Sequence, residues 1–240
     1  MLYVIFLAHL LGDYLFQWKC IARWKARSMV GVLAHGGIVT ITTWGCASLV
    51  DASWWPYALL IGLIHTTVDL VRARFLRTKD PFWELVWSLL DQAIHLLVIV
   101  LVVNESDVSS HPPLRGIVKV LASPQMLTYA IGYILLLNPA WVLLRFVVRG
   151  IGGATAAPHL GYGDKYGPMV ERVLIASLVL AGQLHLTPLV LLPRRMVPIR
   201  AQEGGAGILI TPVGHWSETI LSLLLAIAVG LVLRAMTPGG

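Results

Sequence analysis

An all-α, polytopic transmembrane helix bundle is the fold that three observations predict. Of the 240 residues, 57% are hydrophobic and only 12% are charged, whereas a soluble domain is about a quarter charged. The apolar residues fall in long runs near the ~20 residues that a helix needs to cross a bilayer. The basic residues gather in a few short stretches between those runs, the pattern that orients membrane proteins. The net charge of +6 therefore calls for no nucleic acid. About six to seven spans are expected on this count, with room for one re-entrant helical hairpin.

The first segment runs from Leu2 to Trp18. It lacks the basic start of a cleavable signal peptide and carries His9 and Asp13 inside its apolar run. A basic loop, Lys19 to Arg27, follows. The second segment, Ser28 to Val50, carries His35. Asp51 and Ser53 form a turn and cap before the third, Trp54 to Phe75, where Trp54 and Trp55 suit an interfacial anchor. That segment carries His65 and Asp69 and runs into Arg72, Arg74, Arg77 and Lys79. Asp80-Pro81 is a cap with proline at the first helical position, opening a fourth segment to Val103 with Glu84, Asp91, Gln92 and His95.

Asn104 to Pro113 is polar and turn-rich, and Leu114 to Ala122 reads as a short interfacial helix. Ser123-Pro124 restarts a helix that runs to Arg149, with a kink at Asn138-Pro139. A Gly-rich loop follows to Gly167. One continuous span from Met169 to Arg200 would put Arg194 and Arg195 on the side that otherwise lacks basic residues, so a re-entrant hairpin over 169–200, turning around Gln183 to Thr187, is expected. The last span runs from Pro212 to Arg234. The chain thus divides into a four-helix core, 1–103, and a C-terminal transmembrane region, 104–240. The loop charges place the N-terminus outside and the first basic loop in the cytoplasm.

Ionisable side chains inside lipid are costly, and a group of them marks a functional site. The first four segments hold His9, Asp13, His35, His65, Asp69, Asp91 and His95. Three segments offer a His and an Asp four residues apart, a spacing that places both on one helix face. At ~1.5 Å per residue, Asp13, His9, His35, His65 and Asp69 lie roughly 5–15 Å from their cytoplasmic helix ends. Asp91 and His95 lie roughly 15 and 21 Å in. A lone intramembrane His is most simply a hydrogen-bonded packing residue. Three pairs and a fourth His, most of them in the cytoplasmic half of the membrane, point instead to a shared metal or proton site. Imidazole and carboxylate suit zinc, iron or manganese. Gln17 and Gln92 extend the same face as donors that could orient carboxylates or bond between helices.

Other residues point less far. Glu171-Arg172 reads as a self-paired charge couple, and His215 with Glu218 as a cap or interfacial pair. His111, His159 and His185 fall in predicted loops. Arg145, Arg149, Arg194, Arg195 and Arg200 orient the chain or face anionic lipid. Cys20 and Cys46 read as packing residues, too few for a disulfide framework. There is no P-loop, GxSxG, CxxC or HExxH motif.

With HLLGDYLFQ at His9 to Gln17, an isolated His35, HTTVD at His65 to Asp69 and DQAIH at Asp91 to His95, the sequence resembles the bacterial membrane proteins of the domain-of-unknown-function 3307 family. The resemblance covers the first four segments. GYGDKYGPMVER, Gly161 to Arg172, matches loosely a later Gly-rich stretch and Glu-Arg of that family. The resemblance implies a shared polar core and a bacterial inner-membrane location, and implies no activity.

The expected function is an integral membrane metalloprotein holding one or two divalent ions, zinc by preference, on those seven residues. As an enzyme it would be a metal-dependent hydrolase acting on a lipid or another amphiphile from the inner leaflet. A metal-bound water would attack, and Asp13 or Asp91, whichever is not a ligand, would take its proton. A transporter of protons or divalent metal is the alternative, and a structural or accessory membrane subunit the next. The bilayer is the one expected partner.

Overall fold

A computed structural model describes residues 1–76, 78–106, 119–120, 123–157, 165–192 and 212–236, with the side chains of 212–215 outside the description. Every regular element among them is helical. The helices are α1 (Leu2–Leu10), α2 (Lys19–Arg27), α3 (Met29–Ser48), α4 (Trp55–Phe75), α5 (Pro81–Glu105), α6 (Pro124–Leu135), α7 (Asn138–Gly152), α8 (Tyr166–Leu180), α9 (Thr187–Val190) and α10 (Pro212–Ala235). Three helices are long and apolar enough to cross a membrane, or up to five when each sharply bent pair is one span. This falls short of the expected six to seven among the described residues. One reason is visible in α4, which is long enough, at ~30 Å, but carries His65, Asp69, Arg72 and Arg74.

The chain forms two compact units, Met1–Arg77 with Val86–Ile131, and Thr78–Leu85 with Gly132–Gly240. In the first, α1 continues as a π-helical turn over Leu11–Leu15, closed by Phe16 N–H donating to Leu11 O at 2.8 Å. The stretch expected to be a basic loop is instead α2, bent by 81° from the helix before it. Its apolar and basic residues alternate too tightly for a hydropathy run to reveal it. Ser28 caps α3 by accepting from Gly31 N–H at 3.0 Å. Gly31 has to be glycine, because a Cβ there would strike the Trp24 carbonyl and come within 2.6 Å of Lys25 N. That approach seats the end of α2 on the first turn of α3.

Asp51 accepts from Ser53 N–H at 2.9 Å and starts a 3-10 turn, Ala52–Trp54, ahead of α4. The turn sends the two tryptophans in opposite directions. Trp55 is exposed, but Trp54 is only 1% exposed and packs with Ile5, Ala47, Ala58, Ile61 and Ile99. Trp54 is therefore core and no interfacial anchor. These residues come from the start of α1, the end of α3, the start of α4 and the far half of α5, so they form one apolar end of the bundle. On its outside, Val30, Leu33, Ile41, Leu63, Leu97 and Leu101 are exposed. Cys20 is also exposed, while Cys46 is partly buried.

The second unit takes up the chain at Gly132, in the last turn of α6, and α6 and α7 are bent by 43° just before Asn138-Pro139, as that dipeptide predicts. The core there is Leu136, Ile175, Ala176, Val179 and Ala226. Arg172 does not pair only with its neighbour. It is 1% exposed, and donates to Leu136 O at 2.7 Å, Leu137 O at 3.3 Å and Ser222 Oγ at 3.3 Å. It thus supplies a donor to Leu136 O at the helix break and adds one to Leu137 O, which also accepts from Trp141 N–H at 3.1 Å. Arg145 is likewise buried and 3.5 Å from Glu218, which removes it from the lipid-facing set. Beyond α8, Gly182 adopts φ 76°, and a 3-10 turn bearing exposed His185 leads into α9. The second arm of the expected hairpin is described only to Leu192. His111, His159, Arg194, Arg195, Arg200, the stretch Leu114 to Ala122 except Lys119 and Val120, which are helical, and the side chain of His215 lie outside the described residues.

Candidate metal centre

All seven predicted residues meet in the first unit, about one helical turn along from the Trp54 core, whose Ile5, Ile61 and Ile99 stand four residues from His9, His65 and His95 respectively. The α1 stretch brings His9 and Asp13, α3 brings His35, α4 brings His65 and Asp69, and α5 brings Asp91 and His95. Each is between 0 and 7% exposed. Their helices can approach because of a reciprocal fit that sequence reasoning overlooked. Gly36 on α3 faces Thr66 on α4, and Gly62 on α4 faces Thr40 on α3. Each threonine donates to the glycine carbonyl four residues back on its own helix, at 2.8 Å for Thr40 and 2.7 Å for Thr66. The Gly-x-x-x-Thr repeat on both helices is the small-residue signal of close packing in membranes. It sits beside His35 and one turn from His65.

Four atoms converge. His35 Nε2 lies 3.2 Å from His65 Nε2 and 3.0 Å from Asp13 Oδ1. His65 Nε2 lies 3.9 Å from Asp13 Oδ1 and 3.3 Å from Asp69 Oδ2. Asp69 Oδ2 is 3.7 Å from His35 Nε2. A tetrahedral ion with zinc-like bonds of ~2.0–2.1 Å needs ligand separations of about 3.3–3.4 Å. The five separations bracket that value. Asp13, His35 and His65 form the tightest trio, with one ligand atom from each within 4.8 Å of the others.

The amides arrange the carboxylates. Gln92 Nε2 donates to Asp13 Oδ2 at 3.3 Å and to Asp91 Oδ2 at 3.2 Å, which leaves Asp13 Oδ1 to the histidines. Gln17 lies 3.3 Å from His35 Nε2, so it touches a ring and not a carboxylate. Two cations that the sequence reading treated as orientation charges complete the group. Lys25 Nζ is 2.6 Å from Asp69 Oδ2, and Arg72 Nη1 is 2.9 Å from Asp91 Oδ2. Their signal was present in the sequence: each stands where a basic stretch abuts an acid-bearing apolar helix.

Asp91, His95 and His9 stand beside the four-atom set and outside it. His95 stacks on His65 at 4.1 Å between ring centroids, and His9 lies 5.4 Å from His95. Among the described residues His9 Nε2, His65 Nδ1, both His95 ring nitrogens and Asp91 Oδ1 have no hydrogen-bond partner. Each such buried atom costs ~1–3 kcal/mol unless something satisfies it. Atoms of this kind cluster where an ion or ordered water belongs.

The family model described as protein of unknown function (DUF3307) matches residues 1–114. That stretch is similar to the DUF3307 family. The matched stretch contains all seven candidate ligands, both glutamines, Lys25 and Arg72. No curated protein and no solved structure matches the chain. The DUF3307 stretch is thus the part of the molecule that carries the polar centre.

Proposed function

We propose that the protein is a multi-pass membrane metalloprotein and a metal-dependent hydrolase of lipid or amphiphilic substrates. The convergence of His35, His65, Asp13 and Asp69 at near-tetrahedral separations carries the reading. Two imidazoles and two carboxylates with no thiolate suit zinc. When bound, the ion would supply a Lewis acid and an acidified water. Asp91 is the better placed of the two expected proton acceptors. Arg72 and Gln92 hold its Oδ2, its Oδ1 has no partner among the described residues, and Asp13 is committed to the ligand trio. His9 and His95 would hold a second ion or bound water.

The apolar end of the same unit supports an enzyme over a transporter. A conducted ion needs access from both faces, whereas the polar file ends against Ile5, Trp54, Ala58 and Ile99, all at or below 1% exposure. In the membrane we place α1 with its π turn, α3, α4, α5, α6 with α7, and α10 as spans, and α8 as a seventh, partial one. The N-terminus lies outside and the polar centre near the cytoplasmic face of a bacterial inner membrane. Elemental analysis of purified protein tests the metal. Wild type should carry one or two zinc ions per chain, and His65→Ala should lose most of it. Equal metal in His65→Ala, or none in wild type, sinks the proposal.

A further inference from the structure

We infer that Lys25 and Arg72 form the recognition site for a singly charged anionic headgroup, a phosphodiester in the membrane's own chemistry, placed next to the metal centre. This rests on the metal reading above and names the substrate class for it.

Three buried carboxylates, Asp13, Asp69 and Asp91, form the centre, and two cations touch it, Lys25 and Arg72. With neutral imidazoles that balance leaves one negative charge. A single divalent ion turns it into one positive charge, and a buried charge of either sign needs a partner. A neutral ester leaves that charge standing; a monoanionic headgroup removes it.

The position of the cations agrees. The carboxylates they touch are buried, at 3% and 5% of side-chain exposure, but Lys25 is 21% and Arg72 33% exposed. The charged route from the centre to the surface therefore passes along these two side chains. Asp69 and Arg72 are three residues apart on α4, on one face. Lys25 Nζ sits on Asp69 and Arg72 Nη1 on Asp91, and Gln92, which donates to both Asp13 and Asp91, ties the carboxylates into one centre. An ammonium and a guanidinium on one such centre can each donate to the oxygens of a phosphate bound beside it. Both belong to elements that end at the basic side of the bundle, α2 and the last turn of α4, where lipid headgroups would lie.

The test uses full-length, zinc-loaded protein in an uncharged detergent. Short-chain phosphatidylglycerol, short-chain phosphatidylcholine and inorganic phosphate are titrated in separate arms, followed by intrinsic tryptophan fluorescence, with Trp24 exposed on α2. Phosphatidylglycerol should bind at least about tenfold tighter than phosphatidylcholine, and Lys25→Gln or Arg72→Gln should each weaken it by about tenfold. Lys25→Arg and Arg72→Lys should restore much of the loss, which separates lost charge from lost fold. Weaker binding of inorganic phosphate assigns the site to a lipid headgroup; equal binding keeps the anion site and assigns it to free phosphate. A zinc-bearing wild type whose phosphatidylglycerol affinity ignores both Gln variants, or matches its phosphatidylcholine affinity, overturns this inference alone. A wild type without zinc overturns the metal reading and this inference together.

Discussion

Replacing Gly62 with alanine asks whether the close approach of α3 and α4 sets the metal geometry. The added Cβ would fall on Thr40 Oγ1, 2.8 Å from Thr40 Cβ and 3.3 Å from its Cα. Rotating the hydroxyl clears the first clash and gives up its bond to Gly36 O. The second clash stays. Carbon–carbon contact is comfortable at ~3.5–4.0 Å, so Thr40 Cβ must retreat by roughly 1 Å. His35 and His65 lie close along the same two helices and move with it. Their Nε2 separation of 3.2 Å would then exceed the ~3.3–3.4 Å that a zinc-like tetrahedron requires. Overpacking of this size costs ~1–3 kcal/mol, and disturbed ligand support weakens metal binding ~10–100-fold. Competition of purified protein against a chromophoric zinc chelator reads the affinity, and a thermal scan confirms the fold. Thr40→Gly in the same chain removes both clashing atoms and should recover most of the loss. A folded Gly62→Ala protein with wild-type zinc affinity would refute the reasoning.

Gln92→Leu removes the donor shared by Asp13 and Asp91, and should weaken zinc about tenfold, at the low end of the cost of losing a ligand's orienting partner; the same chelator competition checks it. Arg172→Met strips the donors from Leu136 O, Leu137 O and Ser222. A loss of ~2–4 kcal/mol is expected in denaturant unfolding, with the zinc content of the folded fraction unchanged because every ligand lies in the other unit. Zinc held at a hundred times its Kd should stabilise the fold by ~2.7 kcal/mol; a melting temperature indifferent to chelator would count against a structural contribution from the ion.

Much of this was readable in the residues, and the physical reasons differ from element to element. The long helices follow from apolar runs punctuated by Ser28, Asp51, Asp80-Pro81 and Ser123-Pro124, and their observed ends lie within a few residues of those marks. The seven candidate ligands could be grouped because charge inside lipid is rare and most of their depths agree. What stayed hidden depends on contacts between helices. Gly36 and Gly62 carry no side chain to attract notice, and their role exists only when α3 and α4 face each other. Lys25 and Arg72 looked like orientation charges because the same residue type serves both purposes, and only the 2.6 and 2.9 Å contacts with Asp69 and Asp91 separate them. The further partners of Arg172 stayed hidden for a similar reason: they are carbonyls beside a helix break more than thirty positions away in the chain.

The π turn over Leu11–Leu15 has a bearing on how related chains compare. A turn closed from the fifth residue holds one residue more than its α-helical counterpart. Remove one residue from Leu10 to Gly12 and a continuous α-helix can run through with the chain beyond nearly in register, but Asp13 lies inside the turn and then stands three residues from His9 instead of four. The segment would keep its greasy character and its predicted span, yet Asp13 would address a different neighbour and the trio with His35 and His65 would be broken. A single-position gap at this point is thus a more telling difference between two such sequences than many substitutions along the lipid-facing side.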